Sequence, residues 1–397
     1  MRILFLSEKL PGPDVDGYVI RNLGLLGRFV ELGEVDVLSY DIGSVPSHLQ
    51  EKLRKVSVFA VPPHRQPSLA ARAGEMLSAS GLYHHYDGFV ELIRQQCAEN
   101  TYDVIWLGGW RMVQYASAIR ECAPDARIVA DPADDEIRGH EIERKKLTST
   151  RERFQLSRQI FRRKRFERRT LPLTDVVLFV SEVDASFARA RHPGVRVEVR
   201  QNGVETDTFA PAETPVDEPI LAFEGTMSFP PNVEGAVYFG ESIWPLIQQQ
   251  LPETRALIIG RNPVPEVKAL ASDTLEVTGT VDNVRDAVLR ASVFVCPLRG
   301  GIGQKNKVLQ AWSLGLPIVA TPISVAGLDA RDGENILLAE SPADFAAACM
   351  SLLKDPAARR RIGAAGRETA VRVYSVAAKM DEVEELLHEL LGSSVRS

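Results

Sequence analysis

The feature that most constrains the fold is a regular alternation of short apolar runs with longer segments of helical spacing. In the first half the apolar runs lie at Ile3–Ser7, Val35–Ser39, Val56–Val61, Asp103–Leu107, Ile128–Asp131 and Val176–Ser181. Runs of this length are typical of buried strands, whereas Gly17–Leu32 and Phe89–Asn100 have the length and apolar period of helices. The alternation predicts a parallel sheet covered by helices on both faces.

The second half repeats this plan. Its candidate strands are Ile220–Glu224, Ala256–Gly260, Leu275–Thr278, Val293–Pro297 and Ile318–Thr321. The segment Ala210–Pro219 is rich in Pro and Glu and is the best linker candidate. We therefore predict a domain over residues 1–208, a second over 209–375, and an acidic amphipathic helix over 376–397 that packs back on the first. Two doubly wound Rossmann-like domains of this kind place a ligand cleft at the carboxyl ends of both sheets.

Composition agrees with two globular domains and excludes several classes of protein. The chain has 397 residues, more than one core usually spans, and its net charge of −6 argues against nucleic-acid binding by the whole molecule. Its four cysteines lack metal-ligand spacing and fit a reducing compartment. The apolar run before Glu8 is too short for a signal peptide, and no stretch has membrane-spanning length. We expect a cytoplasmic protein without a cofactor or a bound metal.

The stretch from Val293 to Thr321 carries the strongest chemical signal. A strand ends at Pro297, a glycine-rich loop follows, and a helix begins at about Lys305. Glycines allow a ligand to approach the backbone closely, and a helix N-terminus directs N–H groups and positive partial charge toward it. Lys305 and Lys307 are unfavourable for the helix dipole unless an anion lies in front of them. A nucleotide diphosphate fits that requirement, and the alternative is that both lysines are simply solvated.

The same stretch resembles a known family. Pro297–Arg299, the glycines, Lys305–Leu309 and Gly315–Thr321 resemble the donor-site motif of family-4 retaining glycosyltransferases, and the closest subgroup is the sugar transferases that accompany PEP-CTERM/exosortase systems. Further matches are Glu224–Met227, Pro231–Val233, Gly260–Pro263, Val277–Gly279, Asp282–Val284, Val180–Glu182, Gln201–Val204 and Phe209–Pro211. The resemblance covers nearly the whole chain and implies the GT-B fold. It also implies transfer of a sugar from a nucleotide-diphosphate sugar to an unidentified acceptor, with retention of configuration and without a metal.

The resemblance also implies a set of donor-site residues. These are Gly225, Thr226, Arg261, Gly279, Gly301, Gly303, Gln304, Lys305, Lys307 and Gln310. Lys305 would be catalytic, because it would neutralise the leaving diphosphate. The sequence departs from the family at Ile302 and Gln310, where many members have glutamates. Gln310 forfeits a charge-assisted hydrogen bond to the donor ribose, which puts the usual donor or full activity in doubt. The usual Arg and Lys pair after the first strand of this domain is also missing.

The first half offers candidates for the acceptor side. The loop after the first strand leads into a helix with Gly17 and Arg21, which reach the donor phosphate or the acceptor in related proteins or else only form a turn. Asp131 and Asp134 follow another strand, where carboxylates hold or deprotonate an acceptor hydroxyl, and the alternative is a role in capping or in loop solvation. We place these two aspartates with Lys305 as the catalytic candidates.

A strongly basic segment spans residues 144–169. It contains twelve Lys or Arg residues against Glu152 and Glu167. Apolar residues are interleaved at helical spacing, namely Phe154, Leu156, Ile160, Phe161 and Phe166. Such a helix either lies on anionic lipid at the inner membrane face or packs its apolar stripe on its own domain and solvates its charges. Nucleic acid is not expected as a partner.

Two other functions compete with glycosyl transfer. A relative with other sugar-nucleotide chemistry, such as a 2-epimerase, needs carboxylates and a histidine near the donor, and this donor loop has neither. A catalytically degenerate binding protein is suggested only by Gln310. A hydride-transferring enzyme is disfavoured, since no G-x-G-x-x-G follows the first strand of either half.

Overall fold

The computed structural model describes residues 1–9, 17–40, 45–60, 82–214 and 216–392. It forms two compact units. Unit 1 contains Met1–Gln201 together with the segment that begins at Met380, and unit 2 contains Asn202–Lys379. Within the described residues, no helix has the length and apolar character needed to cross a membrane.

Unit 1 is built on a seven-stranded parallel sheet. Its strands are β1 (Arg2–Ser7), β2 (Glu34–Ser39), β3 (Lys55–Val58), β4 (Val104–Gly108), β5 (Arg127–Ala133), β6 (Val176–Phe179) and β7 (Val197–Val199). They lie in the order β3-β2-β1-β4-β5-β6-β7, so the direction of winding reverses between β1 and β4. Ligands of open α/β sheets bind at such a reversal, beyond the carboxyl ends of the strands.

Helices join the strands of unit 1. They are α1 (Gly17–Leu32), α2 (Ser47–Gln50), α3 (Asp87–Glu99), α4 (Trp110–Val113), α5 (Ala116–Cys122), α6 (Glu136–Lys146), α7 (Thr150–Thr170) and α8 (Glu182–Arg191). The central strands β1 and β4 are apolar on both faces, and Phe5 and Trp106 on them are fully buried. Phe29 of α1 packs edge-on against Trp106, with ring centroids 5.1 Å apart. Helix packing on the sheet therefore forms the core.

Unit 2 repeats the architecture with six parallel strands. They are β8 (Ile220–Glu224), β9 (Arg255–Ile259), β10 (Leu275–Gly279), β11 (Val293–Cys296), β12 (Ile318–Ala320) and β13 (Leu337–Leu338). Its helices are α9 (Pro230–Tyr238), α10 (Trp244–Gln250), α11 (Pro265–Lys268), α12 (Val284–Val288), α13 (Asn306–Ser313), α14 (Pro342–Lys354) and α15 (Pro356–Tyr374). The order β10-β9-β8-β11-β12-β13 again reverses beside the first strand, between β8 and β11.

The predicted fold class is confirmed, since both halves are doubly wound parallel sheets with helices between the strands. The prediction missed β7 and β13, and it extended the third strand to Val61, which lies outside the described residues. It also treated 144–169 as one helix. The structure ends α6 at Lys146 and begins α7 at Thr150, because the Ser149 hydroxyl accepts the amide of Glu152 and caps a new helix.

The boundary between the units lies earlier than the predicted position after residue 208. Asn202 already belongs to unit 2, because its amide donates to Oε1 of Gln304 over 2.7 Å and Val204 forms a bridge with Ser375. The predicted linker over residues 210–219, of which Pro215 lies outside the described residues, is consequently part of unit 2.

The last described helix, α16 (Val376–Leu390), continues from unit 2 into unit 1. Arg28 of α1 forms ion pairs with Asp381 at 2.6 Å and with Glu384 at 3.0 Å. Arg196 reaches Glu389 at 2.8 Å, and Leu386 and Leu387 are fully buried. Both charge pairing and apolar burial therefore attach the part of α16 beyond Met380 to unit 1.

Two glycines in helices provide a matched test of this packing. A Cβ on Gly363 of α15 would lie 2.1 Å from the carbonyl oxygen of Gly315, whereas a Cβ on Gly27 of α1 would have no neighbour within 4 Å. We predict that Gly363→Ala lowers the thermal unfolding midpoint, because the backbone after α13 cannot give way. Gly27→Ala should instead stabilise the chain by about 0.5–1 kcal/mol. Equal midpoints for Gly363→Ala and the unchanged protein would show that this close approach is not formed.

Candidate functional site

Three glycines mark the carboxyl ends of neighbouring strands in unit 2. Gly225 follows β8, Gly260 follows β9 and Gly279 ends β10, and all three have positive φ (156°, 149° and 70°). The amide of Gly225 donates to the carbonyl of Ile259 over 3.0 Å, and a Cβ on Gly260 would lie 1.7 Å from the carbonyl oxygen of Gly225. We call these three residues the glycine edge. It presents bare backbone to which a ligand can come close.

The glycine-rich loop adjoins the glycine edge. It follows β11, which lies next to β8 in the sheet, and it leads into α13. Gly301 and Gly303 have φ values of +112° and +67°, a region that residues with a side chain rarely adopt. The loop conformation therefore depends on glycine at these two positions.

Side-chain hydrogen bonds tie both ends of this loop to other parts of unit 2. At its start, the Thr321 hydroxyl donates to the carbonyl of Leu298 over 2.5 Å. At its end, the Gln304 amide accepts from the backbone N–H of Asn202 over 2.7 Å and donates to the carbonyl of the same residue over 3.2 Å. Gln304, predicted to bind the donor, thus uses its amide to anchor the loop.

Lys305 stands at the junction of the loop and α13. It is the residue that precedes the helix, and its side chain caps none of the helix N–H groups. Its half-buried ammonium donates to the carbonyl oxygens of Ile302 over 2.7 Å and Gly303 over 2.9 Å. The ammonium and the helix N-terminus therefore place two sources of positive charge at the same loop.

Lys307 occupies a different environment from Lys305. Its ammonium donates to the carbonyl oxygen of Glu224 over 2.5 Å and to Oδ1 of Asn232 over 2.8 Å, and it lies 4.5 Å from the centre of the Phe223 ring. Burial raises the pKa of the Glu224 carboxyl, and the Lys307 charge partly opposes that shift. In this structure Lys307 is a positioning residue that ties α13 to the end of β8 and to α9. Asn232, which the sequence analysis did not place in the site, completes this contact.

Three predicted residues of unit 2 remain: Thr226 and Arg261 follow the carboxyl ends of β8 and β9, and Gln310 lies on α13. Gln310 is half-buried on α13, and in the described part of the chain its side-chain amide has no hydrogen-bond partner. The carbonyl of Thr226 accepts from the Asn232 amide over 3.1 Å, and that of Arg261 accepts from the amide of Met227 over 2.9 Å. Asn262 beside Arg261 has a φ of +55°, so the turn after β9 is a further conformation that ordinary residues adopt rarely.

In unit 1, Arg21 and Asp131 form a buried ion pair. The guanidinium Nε lies 2.8 Å from one carboxylate oxygen, and the two side chains are only 2% and 1% exposed. Arg21 also donates to the carbonyl of Arg200 over 2.9 Å, and the Trp106 indole donates to Asp131 over 3.3 Å. We predicted both residues at the acceptor or phosphate, but the geometry favours a structural role, because each is enclosed by groups of its own unit.

Asp134 lies beyond this pair and is half-buried. It follows Ala133, which has a φ of +67° at the end of β5, a conformation that costs about 1–3 kcal/mol and is concentrated at functional sites. The Trp110 indole donates to the Asp134 carbonyl over 2.9 Å and fixes its backbone. Gly17 is half-buried at the start of α1, and the loop before it lies outside the described residues.

Two further carboxyl groups lie after strands of unit 1, and the sequence analysis did not include them among the site residues. Glu8 follows β1 and pairs with Arg111 at 2.9 Å, while burial raises the pKa of its carboxyl against the lowering effect of that arginine. Glu136 begins α6, and burial also raises the pKa of its carboxyl, an effect that Arg163 opposes. Raised carboxyl pKa values beyond the ends of strands are a physical signal of a functional site. They depend on tertiary packing, which no local sequence motif encodes.

The different settings of Asp131 and Asp134 lead to a stability prediction. Asp131→Ala leaves the Arg21 charge buried without its carboxylate and should lower the free energy of unfolding by about 3–5 kcal/mol. Asp134→Ala serves as the matched control and should change stability little. Urea unfolding of the three proteins measures the difference. An Asp131→Ala protein with unchanged stability and lost activity would restore the catalytic assignment of this residue.

Comparison with known proteins relates unit 2 to a family. Residues 218–355 match the family model described as Glycosyl transferases group 1. The chain is 25% identical to alpha-maltose-1-phosphate synthase of Mycolicibacterium smegmatis over 261 residues, which are 56% of this chain and 65% of that protein. It is 31% identical to phosphatidyl-myo-inositol mannosyltransferase of Mycobacterium leprae over 137 residues, 33% of this chain and 36% of that protein. The chain thus spans less than two thirds of these relatives.

Solved structures match the whole fold. Sucrose-phosphate synthase from Thermosynechococcus elongatus superposes with a TM-score of 0.70 at 18% identity and covers 99% of this chain and 100% of that one. Anabaena Alr3699/HepE, crystallised with UDP and glucose, superposes with a TM-score of 0.67 at 15% identity, covering 97% and 98%. These likenesses show that the chain has the two Rossmann-like domains of GT-B glycosyltransferases.

Proposed function

We propose that this chain, whose residues 218–355 match the model of glycosyl transferases group 1, transfers a sugar from a nucleotide-diphosphate sugar to an acceptor hydroxyl with retention of configuration. The family-4 assignment and the relation to PEP-CTERM-associated transferases are part of this proposal, as is transfer without a bound metal. The observation that carries it is the glycine-rich loop, fixed at both ends, that directs Lys305 and the N-terminus of α13 to one place beside the glycine edge.

The diphosphate is the part of the donor that this geometry suits best. Backbone N–H groups at a helix N-terminus and a neighbouring ammonium bind anionic oxygens, and Gly301 and Gly303 remove side chains from their approach. The ammonium of Lys305 donates hydrogen bonds to two loop carbonyl oxygens in this structure. A phosphate that binds here competes with those oxygens for the N–H groups of Lys305. The Anabaena protein forms complexes with UDP and with UDP-glucose, which makes a uridine donor the first to test.

The same groups account for catalysis. As the bond between sugar and diphosphate breaks, negative charge grows on the leaving oxygens, and preorganised donors stabilise that charge. The Arg and Lys pair expected from the resemblance after the first strand of the donor domain is missing from Gly225–Ser228, so Lys305 carries more of the charge. On unit 1, Asp134 is the residue we propose for the acceptor hydroxyl, with Gly17 at the start of α1.

Replacing Lys305 tests the phosphate assignment. Lys305→Ala should reduce turnover about a hundredfold to a thousandfold, which corresponds to about 3–4 kcal/mol of transition-state stabilisation. Release of UDP from UDP-glucose is the first assay, followed by other nucleotide sugars. Lys268→Ala, which removes an exposed lysine of α11, is the matched control and should keep full turnover. Near-normal turnover of Lys305→Ala at unchanged thermal stability would contradict the assignment.

Gln310 tests the identity of the donor site. Its half-buried amide, unpaired within the described residues, can bond a donor ribose hydroxyl, and a glutamate would make that bond charge-assisted. Gln310→Glu should therefore be tolerated and tighten nucleotide binding about fivefold, or about 1 kcal/mol, whereas Gln310→Ala should weaken it. Calorimetry with a panel of nucleoside diphosphates measures both. If Gln310→Glu weakened binding about tenfold or more, the site would be built for a different donor or for binding alone.

A further inference from the structure

Helix α7 presents two different faces, and only one of them contributes to the core. Leu156, Ile160 and Phe166 are buried. Phe154 and Phe161, which the sequence analysis placed in the same apolar stripe, are 64% and 61% exposed. Packing on unit 1 thus explains three of the five apolar residues and leaves two large aromatic side chains in solvent.

The two exposed phenylalanines belong to an ordered row. Residues 151, 154, 158, 161, 165 and 168 follow one another at intervals of three or four and therefore share one face of the helix. They are Arg151, Phe154, Arg158, Phe161, Arg165 and Arg168, and all six are exposed. We call this row the arginine–phenylalanine face.

Two basic residues of α7 outside this face are paired within unit 1, unlike the arginines of the face. Arg163 is buried and contacts the Glu136 carboxylate and the Tyr83 hydroxyl, and Lys164 pairs with Glu141 at 2.8 Å. In contrast, Arg151, Arg158, Arg165 and Arg168 form no ion pair with any residue of the described ranges. Four positive charges on one face of a chain with a net charge of −6 are therefore available to an external anionic partner.

We propose that the arginine–phenylalanine face docks this protein on the surface of an anionic lipid bilayer. Arginines bind lipid phosphates and carry flexible stems, and phenylalanines between them insert at the boundary of headgroups and acyl chains. A row of alternating cations and aromatic rings, parallel to the helix axis and opposite the buried face, suits a flat, extended anionic surface. The partner follows from this charge and shape complementarity, and the proposal does not depend on the proposed transfer reaction.

The magnitudes predict reversible, salt-dependent binding. Each basic residue near an anionic surface strengthens binding about fivefold, or about 1 kcal/mol. Each phenylalanine that leaves water contributes about tenfold. Salt screens the first contribution over about 10 Å at 0.1 M but leaves the second intact. Charge and aromatic insertion can therefore be separated by measuring binding at increasing salt concentration.

The test is flotation of the full chain with vesicles of equal parts phosphatidylcholine and phosphatidylglycerol, compared with phosphatidylcholine alone. The variant that changes Arg151, Arg158, Arg165 and Arg168 to Gln should bind the anionic vesicles several hundredfold more weakly, about fivefold for each of the four arginines. Its matched control changes four exposed basic residues of unit 2 that form no ion pair with any described residue, Arg255, Lys354, Arg360 and Arg372, to Gln. The control carries the same net charge and should bind within about threefold of the unchanged protein. Arg163 and Lys164 are kept, because their replacement would break ion pairs within unit 1.

The second variant, Phe154→Ser with Phe161→Ser, should lose the binding that survives at high salt and retain the salt-sensitive part. Thermal unfolding of each variant confirms that the fold is intact. Equal loss of binding in the helix variant and in the control would overturn the proposal, since net charge alone would then explain the effect. Equal binding to neutral vesicles, or tighter binding to a duplex or single-stranded oligonucleotide than to anionic vesicles, would also overturn it.

Discussion

Both units depend on parallel strands that carry apolar side chains on the two faces of the sheet. Burial of both faces requires helices above and below, so polar chemistry is confined to the strand ends. The glycine edge, the glycine-rich loop and the carboxylates after β1 and β5 all lie at such ends. In unit 1, the buried ion pair of Arg21 and Asp131 lies at the end of the apolar interior, close to where β5 ends. The same constraint that makes the fold stable thus determines where a ligand can bind.

This constraint also explains how much of the fold could be predicted. Strands buried on both faces appear as continuous apolar runs, and the strand Ile220–Glu224 was predicted with its observed bounds. Val197–Val199 and Leu337–Leu338 were missed, because three or two residues do not give a recognisable run. The break between α6 and α7 was missed because the basic residues on either side have similar spacing, although Ser149 is a recognisable cap.

The site was predictable only where its signal is local. The glycines and Lys305 lie within a few residues of one another, and their spacing predicted a loop that either binds an anion or leaves its lysines solvated. Their supports join distant parts of the chain. Gln304 and Asn202 are 102 residues apart, Arg21 and Asp131 are 110 apart, and Lys307 and Asn232 are 75 apart. Such contacts decide whether a side chain holds the scaffold or faces a ligand, and a single sequence without its fold does not contain them.

The course of α16 has a consequence for how the chain acquires its structure during synthesis. Unit 1 combines Met1–Gln201 with a segment that is translated only after all of unit 2, and the ion pairs of Arg28 with Asp381 and Glu384 join these distant parts. Unit 2 is one continuous stretch, Asn202–Lys379, and has all its residues as soon as Lys379 leaves the ribosome. The surface of the first unit that receives α16 therefore stays uncovered during synthesis until the second unit has been translated. Amino-terminal domains usually finish folding first, and here the second unit can complete its structure before the first.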